Sequence, residues 1–206
     1  MKKIQKADEP ASFTKYKQHN PTHQYKDLND EIIRQDIRKK CTEEQYYLCA
    51  YCCKEISGTK MDTMNEHIQP RHHYPNLSMD FNNIVASCNQ KGHCDNSKGS
   101  KILSLTPLMD ECETEFEFRI NGTVIGKTER AKEAIDILKL NHEKLCESRK
   151  QAINSLLITQ GLGNPIEVED DELLQSVCDD IMQPENGKLI AFTPAIVNAI
   201  KNWTNL

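Results

Sequence analysis

The chain has 206 residues, 37% of them hydrophobic and 28% charged, with a formal net charge of -5. No run approaches the roughly 18 consecutive apolar residues that a membrane span needs, so no membrane role is expected. The acidic balance also argues against a whole-surface grip on nucleic acid, which normally rests on Lys and Arg displacing counterions. The opening MKKIQKADEPASF has basic residues but no apolar block behind them, so a secretory signal is not expected and a cytoplasmic location is.

Residues 1–30 mix Lys, Gln, Asn, Pro and Tyr with few apolar anchors and are expected as an arm or short helices laid over another part of the fold. From Asn29 the spacing of Ile32, Ile33, Ile37 and Cys41 predicts a helix, capped by Asn29 or Asp30, that leads into Cys49. Residues 53–94 are rich in Gly, Pro and Asn, and only FNNIVASC predicts a strand. With so little apolar content to offset chain entropy, metal binding is the expected ordering agent.

Downstream, EFEFRI and TVIGK flank Asn121-Gly122, a strong hairpin signal that sets Phe116, Phe118 and Ile120 on one face. One long helix is predicted next, capped by Thr128. Ile135, Leu138, Leu145, Ala152 and Leu156 form its stripe, His142 and Arg149 share the register, and GLGNP ends it. DELLQSVCDDIM and TPAIVNAIKNW predict two further helices, the last with Ile196, Val197, Ile200 and Trp203 on a shared face. The fold class expected is α+β. It has an arm and approach helix over 1–40, a metal-pinned core over 41–110, and a hairpin with helices over 111–206.

Nine cysteines without a secretion signal favour metal ligation over disulfides. Cys49 and Cys52 form a C-x-x-C half-site, and Cys88 and Cys94, which enclose the five residues of a polar loop, offer a second pair for structural Zn²⁺. His93 is an alternative to either downstream cysteine. Cys41, Cys53, Cys112, Cys146 and Cys178 read as small buried side chains. A thioredoxin-like dithiol would need a strand before CAYC and a βαβ pattern after it, and neither is predicted. His67 has the chemistry of a general base, and Glu66 beside it offers a hard oxygen to Mg²⁺ or a similar ion. A strand or turn must end there if both are to face one site. Arg71, His72, His73, Lys98 and Lys101 are candidates for a basic rim that contacts phosphates.

The set CAYC, EHIQP, NNIVASC and HCDNSKG resembles the cysteine-bearing branch of the HNH endonucleases. EQYYLCAYC and ILKLNHEKLCESRKQA narrow the resemblance to the HNH subunit of Septu-type and retron-associated anti-phage systems, over most of residues 1–155. The resemblance implies a ββα-metal finger pinned by zinc on Cys49, Cys52, Cys88 and Cys94. It makes His67 the general base and Asn83 the brace of its loop, and it has Glu66 share a catalytic Mg²⁺ or Mn²⁺ with Asp95 by position or Asn96 by residue type. The family's usual two-residue gap is five here, which leaves His93 or Cys94, and Asp95 or Asn96, as alternatives. Cleavage of DNA or RNA, transfer RNA included, is implied, with an ATPase subunit as partner and, in retron-linked members, a reverse transcriptase with its RNA-DNA product. The chain has no G-x-x-x-x-G-K-S/T loop of its own. The arm and the Trp203 helix are the candidate docking elements. The rival reading is a non-catalytic zinc module that binds nucleic acid or protein.

Overall fold

The computed structural model of the chain describes residues 1–159 and 171–204. Among these residues it is a mixed α+β fold with seven α-helices and two small antiparallel hairpins. The expected GLGNP helix stop and the side chain of Trp203 lie outside what is described.

Helix α1 (Ala11–His19) and a 3-10 turn at Tyr25–Asp27 make up the amino-terminal segment. Ile4, Phe13 and Tyr25 are buried, so the anchoring side chains of this arm are taken up by the chain's own core. Helix α2 (Glu31–Glu44) starts where Asp30 accepts the Ile32 and Ile33 amides at 2.9 and 3.3 Å. Those amides would otherwise lack partners. Asp30→Ala is expected to cost about 1 kcal/mol, read as a lower denaturation midpoint at unchanged slope.

Strands β1 (Thr63–His67) and β2 (Ile84–Cys88) pair antiparallel, with Glu66 opposite Val85 and His67 opposite Ile84. The residue pattern over 53–94, which marks only FNNIVASC as a strand, does not predict β1. TMNEH has little strand propensity, and its pairing depends on β2, which is buried throughout. The other edge of β2 is closed by side chains. The Gln45 amide both donates to Ala86 O (2.8 Å) and accepts from Ala86 N (2.7 Å), while Lys6 Nζ donates to Ile84 O (2.7 Å). Satisfying these backbone groups lets β2 sit inside the protein with only one strand beside it. Ile56, Ile68, Phe81, Ile84 and Val85 are all buried with it, so the segment has more core than its composition suggests. A single turn of helix, α3 (Asp95–Lys98), follows β2.

β3 (Phe116–Phe118) and β4 (Val124–Gly126) form the expected hairpin. Gly122 has φ +84°, and a Cβ there would strike the Cys146 carbonyl, so the turn lies directly on a helix backbone. The long helix expected after Thr128 is two helices, α4 (Glu129–Leu138) and α5 (Glu143–Thr159), broken at left-handed Lys139. KLNH holds no Gly or Pro, and the break serves tertiary contacts. Leu138 O accepts from Cys94 N (2.9 Å), and Asn141 exchanges two hydrogen bonds with Val124 of β4. Helices α6 (Asp171–Ile181) and α7 (Thr193–Thr204) complete the fold, and Asn198 of α7 ties to both ends of β3.

Candidate active site and metal centre

The turn after α2 carries Cys49 and Cys52, β2 ends on Cys88, and Cys94 precedes α3. Ligand atoms of all four lie within 4.8 Å of one another, and all four residues are buried. The Cys49–Cys94 and Cys52–Cys88 sulfur separations are both 3.9 Å. A tetrahedron with Zn–S bonds of about 2.3 Å has edges of about 3.8 Å, so the cluster can hold a metal such as zinc. Negative charge shared among four sulfurs has uneven effects. Hydrogen bonds from Cys49, Cys52 and Cys94 pull the Cys88 thiol down, while Cys52 is pushed up by its sulfur neighbours and Cys94 by burial. His93 is buried with Nδ1 3.1 Å from Cys94 Sγ and 4.0 Å from Cys88 Sγ, so its ring lies against the sulfurs while Cys94 joins them. Of the remaining cysteines only Cys146 is partly exposed.

His67 is the last residue of β1, and this strand end lets it and Glu66 line the same cleft. Its Nε2 is 3.0 Å from Ser78 O. A carbonyl only accepts, so Nε2 carries the proton and Nδ1 keeps the lone pair. Burial pushes the His67 pKa down to about 4, helped by the Arg71 and Lys98 charges and opposed by the Ser78 bond and Asp95. The imidazole is therefore neutral near pH 7. Tyr25, from the amino-terminal segment, packs edge-on against it with ring centroids 4.7 Å apart. Asn83 holds the loop that supplies Ser78. Its Oδ1 accepts from Gln69 N (2.7 Å), and its Nδ2 donates to Gln69 O (3.0 Å) and Leu77 O (3.2 Å).

Glu66 accepts from the Tyr51 hydroxyl (3.1 Å) and pairs with Lys98 Nζ at 2.7 Å, and the same ammonium donates to His67 O at 2.9 Å. Burial and the facing Asp95 carboxyl outweigh Lys98 and push Glu66 up to about 8. Two carboxyl groups and one buried ammonium thus form a compact, nearly charge-balanced set. This overturns the expected surface role of Lys98, whose side chain is 0% exposed. Arg71, His72, His73 and Lys101 are exposed, and of these Arg71 and His72 line the cleft. Asp95 lines it as well, whereas Asn96 Oδ1 accepts from Gly92 N (2.9 Å) and braces the loop between Cys88 and Cys94. His142 is half-buried against His93, and Arg149 is buried, its guanidinium bonded to Leu140 O.

The cleft is open, about 600 Å³ in volume, with Lys26 also at its rim. Sequence reasoning missed Tyr25, Tyr51 and Ser78. An isolated Tyr or Ser carries no motif, and all three reach the site only through chain reversal.

Fold and site together define an α+β protein with a four-cysteine cluster able to hold a metal, set beside a cleft that brings one neutral histidine and two carboxyl groups together. No family model matches the chain. It is similar to the Septu protein PtuB of Bacillus thuringiensis, 28% identical over 97 residues, a match covering 45% of this chain and 36% of that protein. The similarity thus spans about a third of the relative's length.

Proposed function

We propose that this chain is a metal-dependent HNH endonuclease that hydrolyses phosphodiester bonds in DNA or RNA, and that it acts as the effector of an anti-phage complex with an ATPase subunit. The observation that carries the reading is His67, held neutral by burial with Nε2 fixed on Ser78 O, in one cleft with the carboxyl groups of Glu66 and Asp95. A general base needs a free lone pair near neutral pH, and Nδ1 has one. The 28% identity to a Septu protein supports the defence setting, and with it an ATPase partner; in a retron-linked setting a reverse transcriptase with its RNA-DNA product would join the complex.

In this mechanism His67 takes the proton of the attacking water as its oxygen closes on phosphorus and the bond to the 3′ oxygen breaks. Asn83 holds the loop that orients the ring, so it is a positioning residue. Arg71 and Lys26 at the rim meet flanking phosphates. Glu66 and Asp95 are the hard oxygen ligands suited to Mg²⁺ or Mn²⁺, which would supply neutralisation of the scissile phosphate and the departing oxygen. Zinc on Cys49, Cys52, Cys88 and Cys94 would be structural, since four protein ligands leave no open position.

The test is to incubate the protein, alone and with its ATPase partner, with DNA, total RNA and transfer RNA in Mg²⁺ or Mn²⁺, beside His67→Ala. Loss of the base is expected to reduce cleavage by about 10²–10⁴-fold with zinc content and melting temperature unchanged. Equal cleavage by both proteins would remove His67 as the base, and none by either under all conditions would leave a non-catalytic zinc module as the better description.

A further inference from the structure

A second concavity of about 560 Å³ lies on the far side of Cys94 in sequence from the cleft. Lys54, Lys91, Lys144, His93, His142 and Ser148 line it, and among the described residues no carboxylate does. That lining stands out in a chain with 31 acidic residues against 26 Lys and Arg. Among the described residues none of the three lysines forms an ion pair, although lysines elsewhere on this surface, such as Lys3, Lys17 and Lys132, do. His142 Nδ1 is buried without a hydrogen-bond partner, its ring tilted against His93 at 5.6 Å between centroids.

We infer that this concavity is a second phosphate-binding site, which takes the sugar-phosphate backbone of a nucleic acid outside the cleavage cleft. Three lysines without a carboxylate partner around one hollow make its potential positive, which favours an anion there. Among the described residues Leu145 is the one apolar side chain in the lining, so the hollow lacks the apolar centre that a protein partner would need. His93 faces this hollow and Asp95 faces the cleft, two residues on, which puts their Cα atoms within about 7 Å. The site gives an acidic protein a local grip that its net charge of -5 denies it overall. The inference rests on the nuclease reading only for the identity of the polyanion.

The experiment titrates labelled single-stranded and duplex DNA and RNA with His67→Ala protein across a salt series. The same protein carrying Lys54→Ala, Lys91→Ala and Lys144→Ala is compared, with zinc content and melting temperature as controls. Affinity is expected to fall roughly tenfold or more, and the slope of log affinity on log salt to flatten by about 2–3, one increment per lost phosphate contact. Replacing the three lysines by arginine is expected to restore both. Unchanged affinity and slope, or a triple variant that loses only an acidic protein partner, would overturn the inference. Binding is read on a protein that does not cleave, so the two readings fail separately. Lysine-insensitive binding beside His67-dependent cleavage by the wild-type chain removes this site alone, and lysine-sensitive binding beside a wild-type chain that never cleaves removes the nuclease alone.

Discussion

Stripping the metal with a strong chelator is expected to unfold the loops that carry Cys49, Cys52, Cys88 and Cys94, and to lower the melting temperature sharply. Hairpin β1–β2 has apolar support from Ile56, Phe81, Ile84 and Val85, and the first cysteine loop adds buried Leu48, Ala50 and Tyr51, but in the second loop only His93 is buried beside the thiols of Cys88 and Cys94. They also carry strain. Cys53 has φ +60° and Cys94 has φ +54° with ψ -132°, conformations that non-glycine residues avoid at a cost of about 1–3 kcal/mol each. A bound ion can hold them there. Structural zinc in small peptides has an apparent affinity of about 10–16 kcal/mol, comparable to or larger than the whole stability of about 5–15 kcal/mol typical of a domain. Cys88→Ser is expected to act in the same direction. Metal analysis should find stoichiometric zinc, and thiol titration should find these cysteines slow to react until chelation exposes them. A zinc-free preparation with freely oxidisable thiols and an unchanged melting temperature would remove the metal centre and favour a redox protein.

Lys98→Met is expected to destabilise the protein by about 3–5 kcal/mol, the usual cost of leaving one partner of a buried ion pair alone. The ammonium has no solvent contact and holds two things together, the Glu66 carboxylate and the His67 carbonyl. Without it, Glu66 and Asp95 face each other with no counter-charge. Glu66, already pushed up to about 8, then rises further, so a cation must displace its proton at a greater cost and binds more weakly. Both outcomes come from the same lost charge. A double-mutant cycle separates this from simple loss of packing, because Glu66→Gln combined with Lys98→Met should recover much of the stability while cleavage stays lost. Additive losses in denaturant melts would show that the pair does not act as a unit. An exposed lysine in a basic rim, as the sequence suggested, would have cost almost nothing to replace.

Helix α2 with its cap narrowed to Asn29 or Asp30, strand β2 and the Asn121-Gly122 hairpin were legible in the amino-acid sequence, because each depends on short-range periodicity or on one residue's hydrogen bonds to backbone a few positions away. The four cysteines were legible for a related reason, since metal ligation needs particular side chains whatever their surroundings. Tertiary pairing made β1 a strand, and the pull of Cys94 and Val124 on one turn cut the helix after Leu138 in two. The direction of the Lys98 chain was equally invisible in DNSKG, where the same residue would serve as well at a surface. Among Asp95 and Asn96, adjacent residues of similar shape, folding turned the first toward Glu66 and the second toward the Gly92 amide.

The sequence by itself thus determined the donor atoms, four sulfurs, an imidazole and several carboxyl groups, because chemistry belongs to residue type. Only the tertiary structure decided which of them meet and in what protonation state. Burial and the charge of non-local neighbours set both, and neither is a property of any stretch of chain taken alone.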